Sequence, residues 1–121
     1  MAFNYLIPML EVENMNETIA FYESTLDFKC VGRDGNSWAV IQKDDISVMF
    51  SARFNKEEYP HTMLTGSLYI YTDDIDVIWQ ILKDKVTICY PIENFAYGMR
   101  EFAIFDCNGY RIQFGQELDK N

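Results

Sequence analysis

The order in which structural signals recur constrains this chain most. Two stretches run through the same progression: an alternating segment, a helical stripe, then three more alternating segments. In the first stretch, Tyr5 to Val12 reads as a strand, with Leu6, Leu10 and Val12 on one face and Ile7, Met9 and Glu11 on the other. Pro8 is awkward in a central strand and points to an edge or a locally unpaired amide. Asn14, with Glu17 three residues on, has the pattern of a capping box, and Met15, Ile19, Tyr22 and Leu26 follow at helical spacing. Strands are expected at Phe28 to Arg33, Trp38 to Gln42 and Ile46 to Arg53, separated by Asp34-Gly35-Asn36 and Lys43-Asp44-Asp45 turns. In the last of these Ile46, Val48 and Phe50 face one way and Ser47, Met49 and Ser51 the other.

A polar connection, 54–66, holds Pro60 and the single histidine, His61. The progression then repeats. Ser67 to Thr72 is an expected strand. Asp73 and Asp74 open a helix to about Lys83, with acids at its start and lysines at its end, as the helix dipole favours. Ile75, Ile78 and Leu82 form its stripe, with Trp79 beside it. Val86 to Tyr90 is a strand and 91–96 a loop. Tyr97 to Gln116 is a hairpin about Asn108-Gly109, a pair that tolerates the positive φ of tight turns. Tyr110, Ile112 and Phe114 share one face of its second strand; Arg111, Gln113 and Gly115 share the other. Before the turn, Phe102 and Ile104 alternate with Glu101, Ala103 and Phe105. The reading is α+β: two βαβββ modules, about 4–53 and 67–117, forming a cupped, roughly eight-stranded mixed sheet. Both helices lie on its outer face, because each apolar stripe must cover the apolar side of the sheet. A lone ferredoxin-like β-α-β-β-α-β domain is the alternative.

At 121 residues the chain is expected to be one domain, and its 49% apolar content argues for a folded core rather than disorder. A net charge of −9 speaks against a nucleic-acid partner, which would need a basic face. The same acidity would suit a cationic ligand, although it also serves solubility alone. Cys30, Cys89 and Cys107 have neither metal nor redox spacing and read as reduced thiols. No apolar run approaches the ~18 residues of a membrane span. No membrane partner is expected, and the cytoplasm is the default location.

Several motifs carry a resemblance. Met9-Leu10-Glu11-Val12-Glu13-Asn14-Met15-Asn16-Glu17-Thr18-Ile19-Ala20-Phe21-Tyr22, then Leu26-Asp27-Phe28, Arg100-Glu101-Phe102 and Asp106-Cys107-Asn108-Gly109, occur in the order seen in the glyoxalase/bleomycin-resistance (vicinal oxygen chelate) superfamily. The chain resembles its bleomycin-resistance branch in particular. The resemblance covers nearly the whole chain and implies paired βαβββ modules, a cupped sheet and a homodimer. It also implies where metal-dependent relatives hold their ion: at Ile7, Met49, Ser67 and Gln113. An isoleucine cannot ligate, a thioether is a soft ligand, and hydroxyl and amide oxygens are neutral and weak. No metal and no other cofactor is therefore expected.

The expected cup face carries Ile7, Met9, Met49, Ser51, Ser67, Tyr69, Tyr71, Met99, Glu101, Arg111 and Gln113, with Trp38, Phe95 and Tyr97 as candidates for its mouth. Apolar walls with a few polar groups suit a small organic ligand. Ligand contacts are assigned to Trp38, Met49, Ser67, Tyr69, Tyr71, Met99, Glu101, Arg111 and Gln113. Glu101 and Arg111 read as a cross-strand ion pair. The alternative makes Glu101 a general base and Arg111 an anion holder. Arg100 is expected on the helix side. The favoured function is a metal-free binder of a small amphipathic or cationic compound. Two others stay open: a lyase or dioxygenase-type enzyme, with a displaced metal or a Glu101 base, and a non-catalytic interaction module.

Overall fold

A computed structural model describes residues 1–53, 57 and 61–119. The chain divides into two compact units, Met1–Thr62 and Met63–Asn121. Each contains one βαβββ module, so the eight strands expected from the sequence form two four-stranded mixed sheets.

In the first unit β1 (Met9–Val12), α1 (Met15–Leu26), β2 (Lys29–Asp34), β3 (Trp38–Lys43) and β4 (Ile46–Ala52) form a sheet of order β1-β4-β3-β2. β1 is parallel to β4, and the other pairs are antiparallel. β1 starts later than the alternation from Tyr5 predicts. Pro8 has no N–H for the ladder, and only its carbonyl joins, accepting the Met49 N–H at 2.9 Å. Asn14 caps α1 as expected, its Oδ1 accepting the Glu17 N–H at 2.9 Å. The helix stops at Asp27, which takes the left-handed conformation (φ 62°) while its N–H bonds the Tyr22 carbonyl. The stripe Met15, Ile19, Tyr22 and Leu26 is buried, and the Tyr22 ring lies 5.1 Å from Phe50 and 5.6 Å from Phe28. Each large apolar side chain so buried contributes roughly 1.5–3 kcal/mol.

The second unit repeats the plan with β5 (Leu68–Tyr71), α2 (Ile75–Leu82), β6 (Thr87–Phe95), β7 (Met99–Phe105) and β8 (Arg111–Glu117), in the order β5-β8-β7-β6. α2 covers the face bearing Phe102 and Phe114: Trp79 lies 5.0 Å from Phe102, and Phe102 stacks on Phe114 at 5.2 Å. Arg100 is on this helix side, bonded to Asp76 at 2.9 Å.

Three local expectations are corrected here. β6 does not end at Tyr90 but continues through Pro91 to Phe95, with register shifts on both sides of Tyr90. It is an edge strand, where a missing N–H can face outward and bulges are tolerated. The Asp74 side chain makes no capping bond; the Gln116 Oε1 from β8 accepts the Ile75 N–H at 3.0 Å instead. The last turn of α2 holds no basic residue, because the helix ends before Lys83 and Lys85. At the β7–β8 turn, Gly109 alone takes a positive φ (83°), and the Asp106 Oδ1 accepts the N–H groups of Asn108 and Tyr110 at 2.9 and 2.8 Å. Residues 54–56 and 58–60 of the 54–66 connection lie outside the described residues.

Candidate functional site

Strand alternation places Glu101 on the face of the second sheet opposite α2, because its neighbour Phe102 packs under the helix. Glu101 is 1% exposed. A buried carboxylate needs partners, and tyrosines supply them. The Tyr69 hydroxyl donates to Oε1 at 2.6 Å, and the Tyr90 hydroxyl donates to Oε2. The network continues outward: the Gln113 Nε2 donates to the Tyr90 hydroxyl at 2.8 Å, and the Ser67 hydroxyl donates to the Gln113 Oε1. β5, β6, β7 and β8 each contribute a side chain or, for Ser67, the residue just before the strand.

The charge balance follows from this geometry. Burial alone pushes the Glu101 pKa up, but hydrogen bonds from Tyr69, Tyr90, Tyr97 and Gln113 outweigh it and hold the carboxyl below its ordinary value of 4.5. The donors respond in the opposite sense. Burial and the bond to Glu101 push Tyr90 up to about 12 and Tyr69 above the phenol range.

The local sequence makes room for the network. Gly115 lies opposite Glu101 on β8, and the Tyr69 side chain crosses directly over it. A Cβ at 115 would stand 2.1 Å from the Tyr69 hydroxyl and 2.7 Å from its Cζ. The backbone there is ordinary; it is the close approach that requires glycine. Aromatic rings border the network along β6. Tyr90 packs edge-on against Phe95 at 5.6 Å, and Phe95 stacks on the exposed Tyr97 at 5.4 Å.

Of the residues assigned from sequence, Ser67, Tyr69, Glu101 and Gln113 come together in this network. Tyr71 is exposed, its ring 5.1 Å from that of Tyr69, and Met99 is buried two residues before Glu101 on β7. Trp38 and Met49 belong to the sheet of the first unit. The expected Glu101–Arg111 ion pair does not form: register pairs Glu101 with Gly115 and Arg111 with Phe105, at opposite ends of the hairpin. Arg111 is exposed. Tyr90 and Gly115 escaped the sequence reading. Pro91 made the strand seem to end at Tyr90, and Gly115 was a mark of close backbone approach whose partner was not visible.

The residues at the metal positions of the family do not fit a divalent ion. Ser67 and Gln113 are neutral and bonded to each other, Ile7 has no donor atom, and the Met49 sulfur is soft. Among the described residues, no group of three or more His, Cys, Asp or Glu side chains could hold a metal ion.

Solved structures share this fold. A superfamily member from Sphaerobacter thermophilus aligns with a TM-score of 0.77 at 20% identity, covering 95% of this chain and 98% of the other. A bleomycin-binding protein complexed with bleomycin gives 0.75 at 22% identity, over 95% of this chain and 99% of the other. Lactoylglutathione lyase from Agrobacterium tumefaciens gives 0.72 at 12%, over 96% of each chain. At these identities the likeness is one of fold. No curated protein matches the chain. The sequence model of one family, however, spans residues 4–114, and with the paired βαβββ modules this establishes that the chain belongs to the Glyoxalase/Bleomycin resistance protein/Dioxygenase superfamily.

Proposed function

We propose that this protein binds a small amphipathic or cationic organic molecule without a metal or other cofactor, acting as one domain within a cytoplasmic homodimer. The observation that carries the reading is the buried Glu101 carboxylate, held ionised by tyrosine hydroxyls on a sheet face bordered by exposed aromatic rings. Fixed negative charge beside π faces is chemistry that attracts cations. Ser67, Tyr69, Tyr71, Met99, Arg111 and Gln113 belong to this surface in the proposal. The bleomycin held by one fold relative supports a binding role, and sequestration of a drug-like compound is the corresponding biological use. The same geometry speaks against Glu101 as a general base, because both its oxygens already accept hydrogen bonds and its basicity is lowered. Among the described residues, no helix is long and apolar enough to cross a membrane.

Native mass spectrometry of the freshly purified protein tests the reading, with zinc, nickel and a panel of cationic aromatic and glycopeptide compounds added in turn. The expected result is a metal-free dimer that takes up an organic cation, with affinity lowered by Glu101→Gln. Stoichiometric zinc or nickel retained through purification would overturn it.

A further inference from the structure

The hydrogen-bond network has a polarity, and one count of protons sets it. At neutral pH a carboxyl group, with an ordinary pKa near 4, gives up its proton long before a phenol near 10 does. Each proton shared between Glu101 and its tyrosines therefore sits on the phenol. Tyr90 has one hydroxyl proton, directed at Glu101, so it can only accept from Gln113. Gln113 must then turn its NH2 to Tyr90 and its carbonyl oxygen to Ser67. Ser67 in turn directs its single proton at that carbonyl. The outer end of the network is a half-buried serine oxygen with lone pairs and no proton to give. Among the described residues, no group donates to it. The Tyr69 oxygen is in the same condition, its proton committed to Glu101.

We infer that Ser67 Oγ and Tyr69 Oη form an acceptor-only edge, which selects a ligand carrying N–H or O–H donors and disfavours one that offers only acceptors. The best match is a protonated amine or amidinium. A ligand that brings a carboxylate, ester or ether oxygen to either of these oxygens meets lone pairs. Four linked side chains polarise one another from the anionic end outward, which strengthens the serine oxygen as an acceptor. This inference rests on the reading that the face binds a small organic molecule, and adds which chemical group of the ligand is recognised.

Because the chain carries a net charge of −9, a preference for cations alone would not isolate the edge. The deciding comparison is between two neutral probes of one shape: 2-naphthylmethanol, which can donate, and its methyl ether, which cannot. Isothermal titration calorimetry of the full chain is expected to show the alcohol binding about five- to tenfold more tightly than the ether, the worth of one hydrogen bond. 2-Naphthamidine should bind more tightly still, and 2-naphthoate least. Ser67→Ala should lower the alcohol–ether ratio by about twofold or more while both probes still bind, with Tyr69 Oη left as an acceptor. Glu101→Gln should do the same by a different route, because an amide can donate to Tyr90 and let the whole network reverse. If Glu101→Gln proves unfolded by circular dichroism, Ser67→Ala decides alone. Equal binding of alcohol and ether by the unmutated protein, or an unchanged ratio in Ser67→Ala, overturns the inference and leaves the binding reading intact. Failure of all four probes to bind overturns both.

Discussion

On the sheet face opposite α1, one row across the first unit reads Met9, Met49, Val40; the same row in the second unit reads Tyr69, Gln113, Ala103. The next row reads Glu11, Ser51, Trp38 in the first unit and Tyr71, Gly115, Glu101 in the second. In these rows the registers correspond pair for pair, so the difference here lies in the side chains. Where the first unit has a tryptophan, the second has a buried carboxylate. The small residue beside it, Ser51 or Gly115, follows the same division, and only glycine leaves room for a tyrosine to cross to that carboxylate. One frame thus carries Met9, Met49, Val40 and Trp38 beside Glu11 and Ser51 in one copy, and a hydrogen-bond network around a buried carboxylate in the other. A backbone ladder fixes where a side chain points, and leaves open what it brings.

The largest separation between the copies is expected at the paired positions Glu101 and Trp38. Glu101→Ala removes an acceptor from two half-buried tyrosine hydroxyls and should cost on the order of 3 kcal/mol in urea unfolding. Trp38→Phe, with no network to break, should cost less than about 1.5 kcal/mol. Equal costs would remove the distinction. The network also predicts the pH response. The folded-state pKa of Glu101 is lowered, so its contribution is present above about 4.5 and lost as pH falls below that. The folded-state pKa of Tyr90 is raised from 10.0 to about 12, so its contribution is complete below 10 and lost as pH climbs through that window.

Next in size is the glycine contrast. Gly115→Ala places its Cβ within 2.1 Å of the Tyr69 hydroxyl, whereas the nearest contact for Gly32→Ala is Val40 Cγ1 at 3.0 Å. The first should destabilise by about 1–3 kcal/mol and the second by less. In a Tyr69→Ala background the cost of Gly115→Ala should largely vanish, since the crossing ring is gone. A cost that persists there would mean the backbone, not Tyr69, requires glycine.

The smallest effects concern the helix starts. Asn14→Ala should cost about 1 kcal/mol, because that side chain caps α1. Asp74→Ala should cost less than half as much, and Gln116→Ala should exceed it, because β8 supplies the cap of α2. Thermal unfolding of the three variants ranks them. Asp74→Ala matching Asn14→Ala would restore a locally capped α2.

Much of the frame was legible because its signals are local. The strand alternations, the α1 stripe, the Asn14 cap and the turns at Gly35, Asp44 and Gly109 depend on periods of two and 3.6 residues and on positive-φ chemistry within a few positions. Element order repeated twice then limited the topology. Local signals misled where a distant strand intervened, as at Pro91 on an edge and at Asp74 beside Gln116.

The sequence by itself determined two βαβββ modules and the faces of strand residues wherever alternation runs unbroken. The tertiary structure decided the register. It set Arg111 beside Phe105 rather than Glu101, brought Tyr69 to a carboxylate 32 residues away and Ser67 to an amide 46 residues away, and made Tyr90 a partner of both. The reason is physical: alternation assigns a side to every side chain, but its neighbours depend on how far one strand slides along another. That displacement is set by packing of the whole unit, which no short stretch encodes.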